Sequence, residues 1–535
     1  MNTMWLLEKF AGKDLDRATI RYLQELAAAP LRASQDATSR MLRTLAAVPG
    51  QTVHFGTTPW GEDVRVPLAD LVPAVGLITG GMGAGKTMAA LLILERIVRL
   101  LPQERSVSFG VIDPKGELFE RALWLLAWRL NQLPRRQQEE LLERIVVIDF
   151  ASREALSSYN ILARWPHAEA DYFITNRLET LRDLLPSSEK LSLRGANILK
   201  YILVLLSHAG LPITHLNKVL GEEDFRQRLV EKCPNEEVRT YFTRHFAMEG
   251  KQTKEALRAR MESLFASEGV KLALSGESAP DFRRLQNDGK IVLINCSGPT
   301  IARGVRLLLQ GLVLSDIRQS IFARPTNPEV TYVWMADEAQ NFFLTKQQQE
   351  NMPDLLNMAR AYGSFFHLLC QNLSTAVPDG RILEMLHTNM RWSLTLRGSP
   401  NDAAFLKSAL PLSGRLRRPE TNPFREAGIY GPEEERSLAH ASIASLPDRE
   451  GYLWLKTRSP YAVRLRTPML RIAQGDAFRG VVDSLRDDPA FGQRVSRQDY
   501  VRMRQAQERH HRAKTREDLD AVLAEDYRRK EEAYV

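Results

Sequence analysis

The chain has 535 residues, more than one compact domain usually holds, so we expect several structural units. Hydrophobic residues make up 44% of the sequence and charged residues 26%, a globular composition that excludes a disordered or fibrous chain. The formal net charge of +8 permits an anionic partner such as DNA, although charge alone does not require one.

Three cysteines, Cys233, Cys296 and Cys370, are far apart and lack the spacing of metal ligands. Such a pattern suits a reducing cytosol. The apolar run at residues 4–7 is too short for a secretory signal, and no stretch contains the roughly eighteen uncharged apolar residues of a membrane helix. We therefore expect a soluble, cytoplasmic protein with no direct membrane insertion, which would reach the inner membrane only through partners.

Strands and helices alternate in the first part of the chain. Residues 1–50 have the apolar spacing of helices, and residues 52–67 have the pattern of a β-hairpin. The next predicted elements are a strand at 75–79, a helix at 86–101, a strand at 107–112, a further helix and a strand at 144–150. Because strands alternate with helices, the sequence predicts an α/β fold with a mainly parallel sheet.

The pattern changes between residues 166 and 274, where only helical periodicity is present and an all-α insertion is predicted. The later predicted elements are strands at 290–295, 332–335, 365–370, 391–396 and 451–456, a helix at 302–323, an arginine-rich loop at 413–431 and a charged helical tail that is mostly basic at 494–516. The predicted domains are a helical segment at 1–50, an α/β domain at 51–165 and 275–475, the insertion at 166–274 and the helical tail at 476–535.

A glycine-rich segment connects the strand at 75–79 to the helix that follows it. Its eight residues, which fit G-x-x-x-x-G-K-T, are Gly80, Gly81, Met82, Gly83, Ala84, Gly85, Lys86 and Thr87. In this pattern the glycines let backbone N–H groups surround phosphates, the lysine reaches the β- and γ-phosphates, and the threonine hydroxyl binds Mg²⁺. A glycine-rich turn without a ligand is the alternative, but the flanking strand and helix favour a site for ATP and Mg²⁺.

An acidic pair, Asp337-Glu338, follows the apolar strand at 332–335. A carboxylate at the C-terminal end of such a strand lies at the sheet edge where α/β proteins bind their ligands. We expect Asp337 to hold Mg²⁺ through water and Glu338 to act as the catalytic base that polarises the attacking water. An acidic helix cap is the alternative for this pair. A glutamate directly after the metal-binding aspartate favours hydrolysis over simple nucleotide binding.

Four short segments share their order and spacing with the motifs of one family. The segments are Asp113-Pro114-Lys115-Gly116-Glu117, Ser158-Tyr159-Asn160-Ile161-Leu162, Asp337-Glu338-Ala339-Gln340-Asn341-Phe342, and Arg360-Ala361-Tyr362-Gly363 with the later Gln371-Asn372. They resemble the D-P-K-G-E, S-x-N-P-L, Walker B and R-x-Y-G…Q elements of type IV coupling proteins, the TraG/TraD-like ATPases of conjugation and secretion. These belong to the HerA/FtsK class of P-loop ATPases. The resemblance covers about residues 52–470, and it departs from the family in Ile161 and in the lack of a visible membrane anchor.

The resemblance implies a RecA-like fold in which the strand ending at Gln371 lies between the phosphate-loop strand and the Asp337 strand. Gln371 would then contact the γ-phosphate or the attacking water and couple hydrolysis to motion; a polar strand end that faces solvent is the alternative. The resemblance also implies a ring, a hexamer in this family, in which an arginine of the neighbouring subunit completes the site. Arg360 is the first candidate for that arginine and Arg391 or Arg397 the second, unless they form ordinary ion pairs.

The function that the resemblance implies is ATP-driven DNA translocation in conjugative or mobile-element transfer. DNA would pass through the ring and bind mainly through its phosphates, with low sequence specificity. Further partners implied are a relaxase or secretion-apparatus proteins, with the insertion at 166–274 recognising cargo. A protein-secretion ATPase of the same superfamily and a non-motor ATPase that assembles a DNA-processing or defence complex are the alternatives.

Several charged residues keep two interpretations. Lys115 and Glu117 either act near the site or a subunit interface, or simply form a strand-end turn with a helix-start glutamate that the helix dipole favours. Five basic residues are candidates for a DNA pore: Arg415, Arg417, Arg418, Lys251 and Lys254. For each of them taken singly, a solvated surface position is the favoured interpretation.

Overall fold

The computed structural model describes residues 35–36, 38–48, 50–152, 155–163, 170–184, 192–265, 268–276, 278–298, 301–343, 346–371, 373–411, 432–472, 474–491, 494–496 and 502. Residues 38–46 are helical, while most of the predicted N-terminal helical segment lies outside this range. The predicted loop at 413–431, with Arg415, Arg417 and Arg418, and most of the basic tail also lie outside the described residues.

The described elements follow the chain in this order. The strands are β1 (Thr52–Thr57), β2 (Asp63–Pro67), β3 (Gly76–Thr79), β4 (Val107–Asp113), β5 (Ile145–Asp149), β6 (Ala155–Ser157), β7 (Ile291–Asn295), β8 (Thr331–Ala336), β9 (Ser364–Cys370), β10 (Trp392–Leu396), β11 (Glu450–Leu455), β12 (Val463–Arg466) and β13 (Arg494–Ser496). The helices are α1 (Leu68–Leu71), α2 (Lys86–Leu100), α3 (Glu117–Leu130), α4 (Arg135–Leu142), α5 (Ala170–Leu184), α6 (Leu193–His208), α7 (Leu216–Gly221), α8 (Glu223–Lys232), α9 (Glu236–Thr240), α10 (Lys251–Leu264), α11 (Glu268–Leu274), α12 (Phe282–Asn287), α13 (Arg303–Phe322), α14 (Lys346–Met358), α15 (Leu373–Ala376), α16 (Gly380–Asn389), α17 (Pro432–Ala441) and α18 (Asp476–Asp487). Short 3-10 helices include Ala339–Phe343, Ala359–Tyr362 and Pro400–Ala409.

The contacts divide the chain into two compact units. The first unit consists of Met1–Leu101 and Thr331–Arg471, and the second of Pro102–Val330 and Ile472–Val535. This division differs from the predicted domains, because β4, β5 and β7 belong to the same unit as the helices predicted to form the insertion. The boundaries at 165 and 275 stay a prediction. No helix among the described residues combines the length and hydropathy needed to cross a bilayer.

The strands of the first unit follow the order β2-β1-β12-β11-β10-β3-β9-β8. The last four of these, β10, β3, β9 and β8, run parallel to one another. The others extend the sheet with antiparallel pairs, including the predicted hairpin of β1 and β2. The phosphate-loop strand β3 thus lies between β10 and β9, with β8 beyond β9. This is the strand order of a RecA-like P-loop fold, so the predicted fold class is confirmed.

Continuous apolar sequences explain why these central strands are buried on both faces. Every residue of β3, β9 and β10 is buried, as parallel strands covered by helices require. Gly76 begins β3 because no side chain fits there: an added Cβ would lie 2.2 Å from the indole ring of Trp392. This close approach lets the largest side chain of β10 fill the space beside the strand that carries the phosphate loop.

In the second unit, strand β7 lies between β4 and β5 and runs parallel to both. Between Ala170 and Leu274 the described residues form helices and turns, as the all-α prediction expects. The predicted helical tail needs one correction. Residues Arg494–Ser496 form strand β13, antiparallel to β6, because pairing with a distant segment overrides the local helical pattern.

A buried polar cluster holds the segment that resembles the S-x-N-P-L motif. The hydroxyl of Tyr159 donates to Asp316 Oδ2 at 2.5 Å, and the guanidinium of Arg177 forms an ion pair with the same carboxylate. Arg177 Nε also donates to the carbonyl of Ile161 at 2.8 Å. Burial raises the pKa of Asp316, and Arg177 and Tyr159 oppose this effect. The cluster connects this segment to α5 and α13. Tyr159 therefore has a structural role in this segment.

A buried histidine makes the stability of the first unit dependent on pH. His367 in β9 is fully buried, its Nε2 lies 3.0 Å from the carbonyl oxygen of Leu71, and burial lowers its pKa to about 4. A histidine in an unfolded chain has a pKa of about 6.5, so between these values only the unfolded state binds the proton. Stability is therefore lost as the pH falls from about 6.5 to about 4, by up to about 3 kcal/mol.

We expect the thermal midpoint to fall between pH 7 and pH 5, and we expect His367→Gln to reduce this decrease. A glutamine keeps an N–H donor for Leu71 but does not titrate. His387, whose pKa burial also lowers to about 4, keeps part of the decrease in this variant. The exposed His245 provides the control, since His245→Gln removes a histidine without removing a buried one. An unchanged pH dependence in His367→Gln would contradict the assignment.

Candidate functional site

The glycine-rich loop is fixed to the strands on both sides of β3. The N–H of Gly80 donates to the carbonyl of Cys370 at the end of β9, at 3.2 Å. The N–H of Gly81 donates to the carbonyl of Arg397, just after β10, at 2.7 Å. Lys86 Nζ is buried and donates to the carbonyls of Gly80 and Gly81 at 2.8 and 2.9 Å. The loop is therefore a closed turn with its lysine folded against it.

Two glycines give the loop its curvature. Gly83 and Gly85 have φ values of +72° and +106°, in the left-handed region that side chains other than glycine rarely adopt. Gly85 immediately precedes α2. A Cβ added to Gly85 would lie 3.1 Å from Cγ of Arg449. Thr87 stands in the first turn of this 15-residue helix, whose N–H groups and positive dipole end face the loop. The result is an anion-binding turn at a helix N-terminus.

The acidic pair follows β8 in the same unit. Asp337 is buried, and its Oδ1 accepts the N–H of Glu338 at 2.9 Å. Glu338 has a φ of +49°, which is unusual for a residue with a side chain and marks local strain. Its carboxylate is held by two amides: Oε1 accepts from Gln371 Nε2 at 2.5 Å, and Oε2 accepts from Gln340 Nε2. The strained backbone thus presents a carboxylate with a fixed orientation.

The thiol of Cys370 lies among the charges of these groups. Burial raises its pKa, the carboxylates of Asp337 and Glu338 raise it further, and the ammonium of Lys86 lowers it. The hydrogen bonds from Gly80 to Cys370, from Lys86 to Gly80 and from Gln371 to Glu338 place these groups together. The structure brings together four predicted site residues, Lys86, Asp337, Glu338 and Gln371, at the C-terminal edge of β3, β9 and β8.

The three candidate arginines occupy two different edges of this unit. Arg360 is exposed and lies in the 3-10 helix before β9, and Arg391 directly precedes β10. Both are thus at the N-terminal ends of parallel strands, roughly 20 Å of strand length from the loop. Arg397 lies beside the loop of its own chain, where its Nη2 pairs with Asp448 Oδ1 at 2.7 Å. A role in the neighbouring subunit therefore suits Arg360 or Arg391 better, and it stays a prediction.

The D-P-K-G-E segment belongs to the second unit and has a local structural role there. The buried carboxylate of Asp113 accepts the N–H groups of Lys115 and Phe119 at 2.7 and 2.9 Å, and burial raises its pKa. Glu117 in the first turn of α3 pairs with Arg121 at 3.1 Å. These contacts match the strand-end turn with a helix-start glutamate. A role of Lys115 and Glu117 near the site or a subunit interface stays a prediction.

The sequence did not predict a role for three further residues at the site, Gln340, Asp402 and Arg449. Gln340 donates a hydrogen bond to the second carboxylate oxygen of Glu338. Its position two residues after Glu338 is the sequence feature that could have indicated this contact. Asp402 is buried and accepts the N–H and the hydroxyl of Ser374 at 2.7 and 2.6 Å, which fixes the start of α15. Arg449 contacts the loop from a distant segment, and no local sequence pattern marks it.

The donors near the loop are suited to Mg²⁺. The hydroxyl of Thr87 and the carboxylate of Asp337 are hard oxygen ligands, and Mg²⁺ in nucleotide sites typically takes one or two protein oxygens together with phosphates and water. Within the described residues no group of three or more His, Cys, Asp and Glu side chains could hold a metal. The two oxygen donors of Thr87 and Asp337 fit a metal that binds together with nucleotide phosphates.

Comparisons with known proteins give similarity of architecture. No family model matches the chain, and no curated protein matches it. The structural neighbours include the bacterial conjugative coupling protein TrwBdeltaN70 in its unbound monoclinic form, with 15% identity, 85% of this chain and 93% of that chain covered, and a TM-score of 0.49. Another is plasmid coupling protein TrwB in complex with the ATP analogue ADPNP, with 15% identity, coverages of 82% and 94%, and a TM-score of 0.49. VirB4 of Thermoanaerobacter pseudethanolicus has 15% identity, coverages of 79% and 98%, and a TM-score of 0.48.

The left-handed backbone of Gly85 generates a stability prediction. We expect Gly85→Ala to destabilise the first unit by about 1–2 kcal/mol, because alanine is strained at this φ and its Cβ would crowd Arg449. Gly81→Ala is the matched control, since its Cβ would make an ordinary contact of 3.5 Å with the carbonyl of Arg397. Thermal unfolding of the two variants tests this difference. Equal midpoints for both alanine variants would contradict the strain argument.

Proposed function

We propose that the chain is an ATP-driven DNA translocase of conjugative or mobile-element DNA transfer, which hydrolyses ATP in an oligomeric ring. The observation that carries the proposal is the arrangement of Lys86, Asp337, Glu338 and Gln371 around one edge of the paired strands β3, β9 and β8. Nucleotide binding alone needs the loop and one metal-binding carboxylate. A second carboxylate held in one orientation is what hydrolysis additionally requires.

The loop and the start of α2 would bind the phosphates of ATP. Backbone N–H groups of the turn and the positive end of the helix attract the phosphate charge. Lys86 Nζ, which bonds to two neutral carbonyls of the loop, would exchange them for β- and γ-phosphate oxygens. This exchange is favourable because hydrogen bonds between two charged groups are stronger than bonds to a neutral acceptor.

Thr87 and Asp337 would hold the metal, Thr87 directly and Asp337 through water. When bound, Mg²⁺ neutralises charge on the β- and γ-phosphate oxygens. The buried position of Asp337 supports this role, because a nearby cation would offset the cost of burying its charge.

Glu338 would orient the attacking water and accept its proton. As the water oxygen bonds to the γ-phosphorus, the bond to the β-γ bridging oxygen breaks, and ADP and inorganic phosphate result. The two amide donors of Gln371 and Gln340 support this role, because they hold the carboxylate before the nucleotide binds. A preorganised base does not need to reorient during the reaction.

Gln371 would couple the state of the nucleotide to the rest of the unit. Its amide contacts the base, and Ser374, three residues later, donates two hydrogen bonds to Asp402 in the 3-10 helix Pro400–Ala409. A change in the contacts of Gln371 on hydrolysis would therefore reach this helix through two hydrogen bonds.

DNA as the cargo is supported by the net charge of +8 and by the motifs that resemble coupling proteins. Binding to the phosphate backbone would be salt-sensitive and weakly sequence-specific. Two other functions of the same site remain in competition: a protein-secretion ATPase, and an ATPase that assembles a DNA-processing or defence complex.

We expect Glu338→Gln to retain ATP affinity within about threefold and to lower kcat by at least about a hundredfold, the usual contribution of a positioned base. The measurements are phosphate release and equilibrium binding of ATP with Mg²⁺. The exposed Glu434 in α17 is the control, and Glu434→Gln should hydrolyse ATP normally. Normal turnover in Glu338→Gln would remove Glu338 from the mechanism.

The same assay, with single- or double-stranded DNA added at low salt, separates the competing functions. A translocase hydrolyses ATP faster with one of these DNAs, and Glu338→Gln abolishes the stimulated rate. Hydrolysis that neither DNA stimulates in an assembled ring would rule out the translocase. A protein-stimulated rate would then favour the secretion ATPase, and slow unstimulated hydrolysis would favour the assembly ATPase.

The role of Arg360 in trans is tested by mixing two inactive variants. Arg360→Ala retains an intact Lys86, and Lys86→Ala retains an intact Arg360. At equal mixing roughly one ring interface in four combines both intact groups, so we expect partial recovery of hydrolysis. Lys86→Ala mixed with Glu338→Gln is the control, since these residues share one site and cannot complement. Absence of recovery at every ratio would exclude Arg360 as the trans arginine.

A further inference from the structure

Arg449 has a strained backbone that is fixed against the phosphate loop. Its φ is +67°, in the left-handed region that residues other than glycine rarely occupy. Its N–H donates to the carbonyl of Ala84 in the loop at 3.1 Å. Its carbonyl accepts the N–H and the hydroxyl of the buried Thr467 at 2.8 and 3.2 Å. Three hydrogen bonds therefore hold this unfavourable conformation in place.

The side chain of Arg449 starts beside the last glycine of the loop. A Cβ added to Gly85 would lie 3.1 Å from Cγ of Arg449 and 3.8 Å from its Cβ. The stem of the arginine thus runs along the residue that precedes Lys86. The side chain is half-buried, and within the described part of the chain its guanidinium has no hydrogen-bond or ion-pair partner.

A comparison with Arg397 shows why this is informative. Both arginines contact the loop through the backbone, Arg397 through its carbonyl and Arg449 through its N–H. The guanidinium of Arg397 is neutralised by Asp448 at 2.7 Å, whereas that of Arg449 is not paired in this way. A turn that only supported the loop would be better served by glycine or asparagine, which adopt this backbone conformation with less strain.

We propose that Arg449 is a nucleotide-binding residue whose guanidinium contacts the phosphates of the nucleotide held by the Gly80–Thr87 loop of its own chain. A guanidinium is permanently charged and presents paired donors that match phosphate oxygens. The strained backbone fixes where the side chain starts, so less conformational freedom is lost when the nucleotide binds. The inference rests on the proposed ATP site and assigns to it a cation distinct from Lys86 and from the arginine of the neighbouring subunit.

The test measures equilibrium binding of ATP and ADP in the full chain with Glu338→Gln, which prevents turnover. Arg449→Gly and Arg449→Asn remove the charge and keep a residue that tolerates the left-handed backbone. We expect both variants to bind ATP about tenfold more weakly, with thermal midpoints no lower than that of the parent. Arg449→Lys keeps the charge without the paired donors, so its affinity for ATP should lie between that of the parent and that of Arg449→Gly or Arg449→Asn. Arg466→Ala, on the nearby strand β12, is the control for general loss of positive charge and should bind within about twofold of the parent.

The outcomes separate this inference from the function on which it rests. Affinity of Arg449→Gly and Arg449→Asn within about twofold of the parent would overturn the inference and leave the ATP site intact. Affinity of Arg449→Lys no better than that of Arg449→Gly would also overturn it, because a direct charge contact must be partly restored by lysine. A parent that binds neither ATP nor ADP would instead overturn the proposed function itself.

Discussion

The site depends on the attachment of the glycine-rich loop to both neighbours of β3. Gly80 and Gly81 donate backbone hydrogen bonds to Cys370 and Arg397, which end β9 and begin the segment after β10. Because these bonds use main-chain atoms, they exist only when the three strands lie side by side in one parallel register. The same register brings Gln371, the residue after Cys370, to the carboxylate of Glu338. The geometry of the phosphate loop and that of the base are thus two results of one strand order.

Strain is concentrated around this edge rather than spread through the unit. Among the described residues other than glycine, only Asn327, Glu338 and Arg449 have positive φ values, and two of these three are at the candidate site. Arg449 is held by hydrogen bonds with Ala84 and Thr467, and the side chain of Glu338 by hydrogen bonds from Gln340 and Gln371. Strained residues persist only where surrounding structure over-determines them, and they are typical of functional sites. In this chain they place one anionic and one cationic side chain near the same loop.

The sequence predicted those parts of the site that have a local signature. Asp337 and Gln371 each directly follow an apolar strand sequence, and Lys86 lies in the G-x-x-x-x-G-K-T pattern, so the chemistry can be read from the local sequence. Arg449 has no such signature, because its role arises from a backbone angle and from a contact with Ala84, hundreds of residues earlier. The same reason explains the error in the predicted helical tail. Strand β13 has three residues, too few for a periodic pattern, and it forms by pairing with β6, hundreds of residues earlier.

The strand order has a consequence for the synthesis of the protein. Strand β3 and its glycine-rich loop are made early, but their partners β9 and β10 begin only at Ser364 and Trp392. A ribosome that adds about 5–20 residues per second needs roughly a quarter of a minute to a minute to bridge that interval. During this time an apolar strand has both edges unsatisfied, and the chain between consists largely of segments that belong to the other unit. Nascent chains of this protein therefore carry an exposed, aggregation-prone strand until most of the polypeptide has emerged.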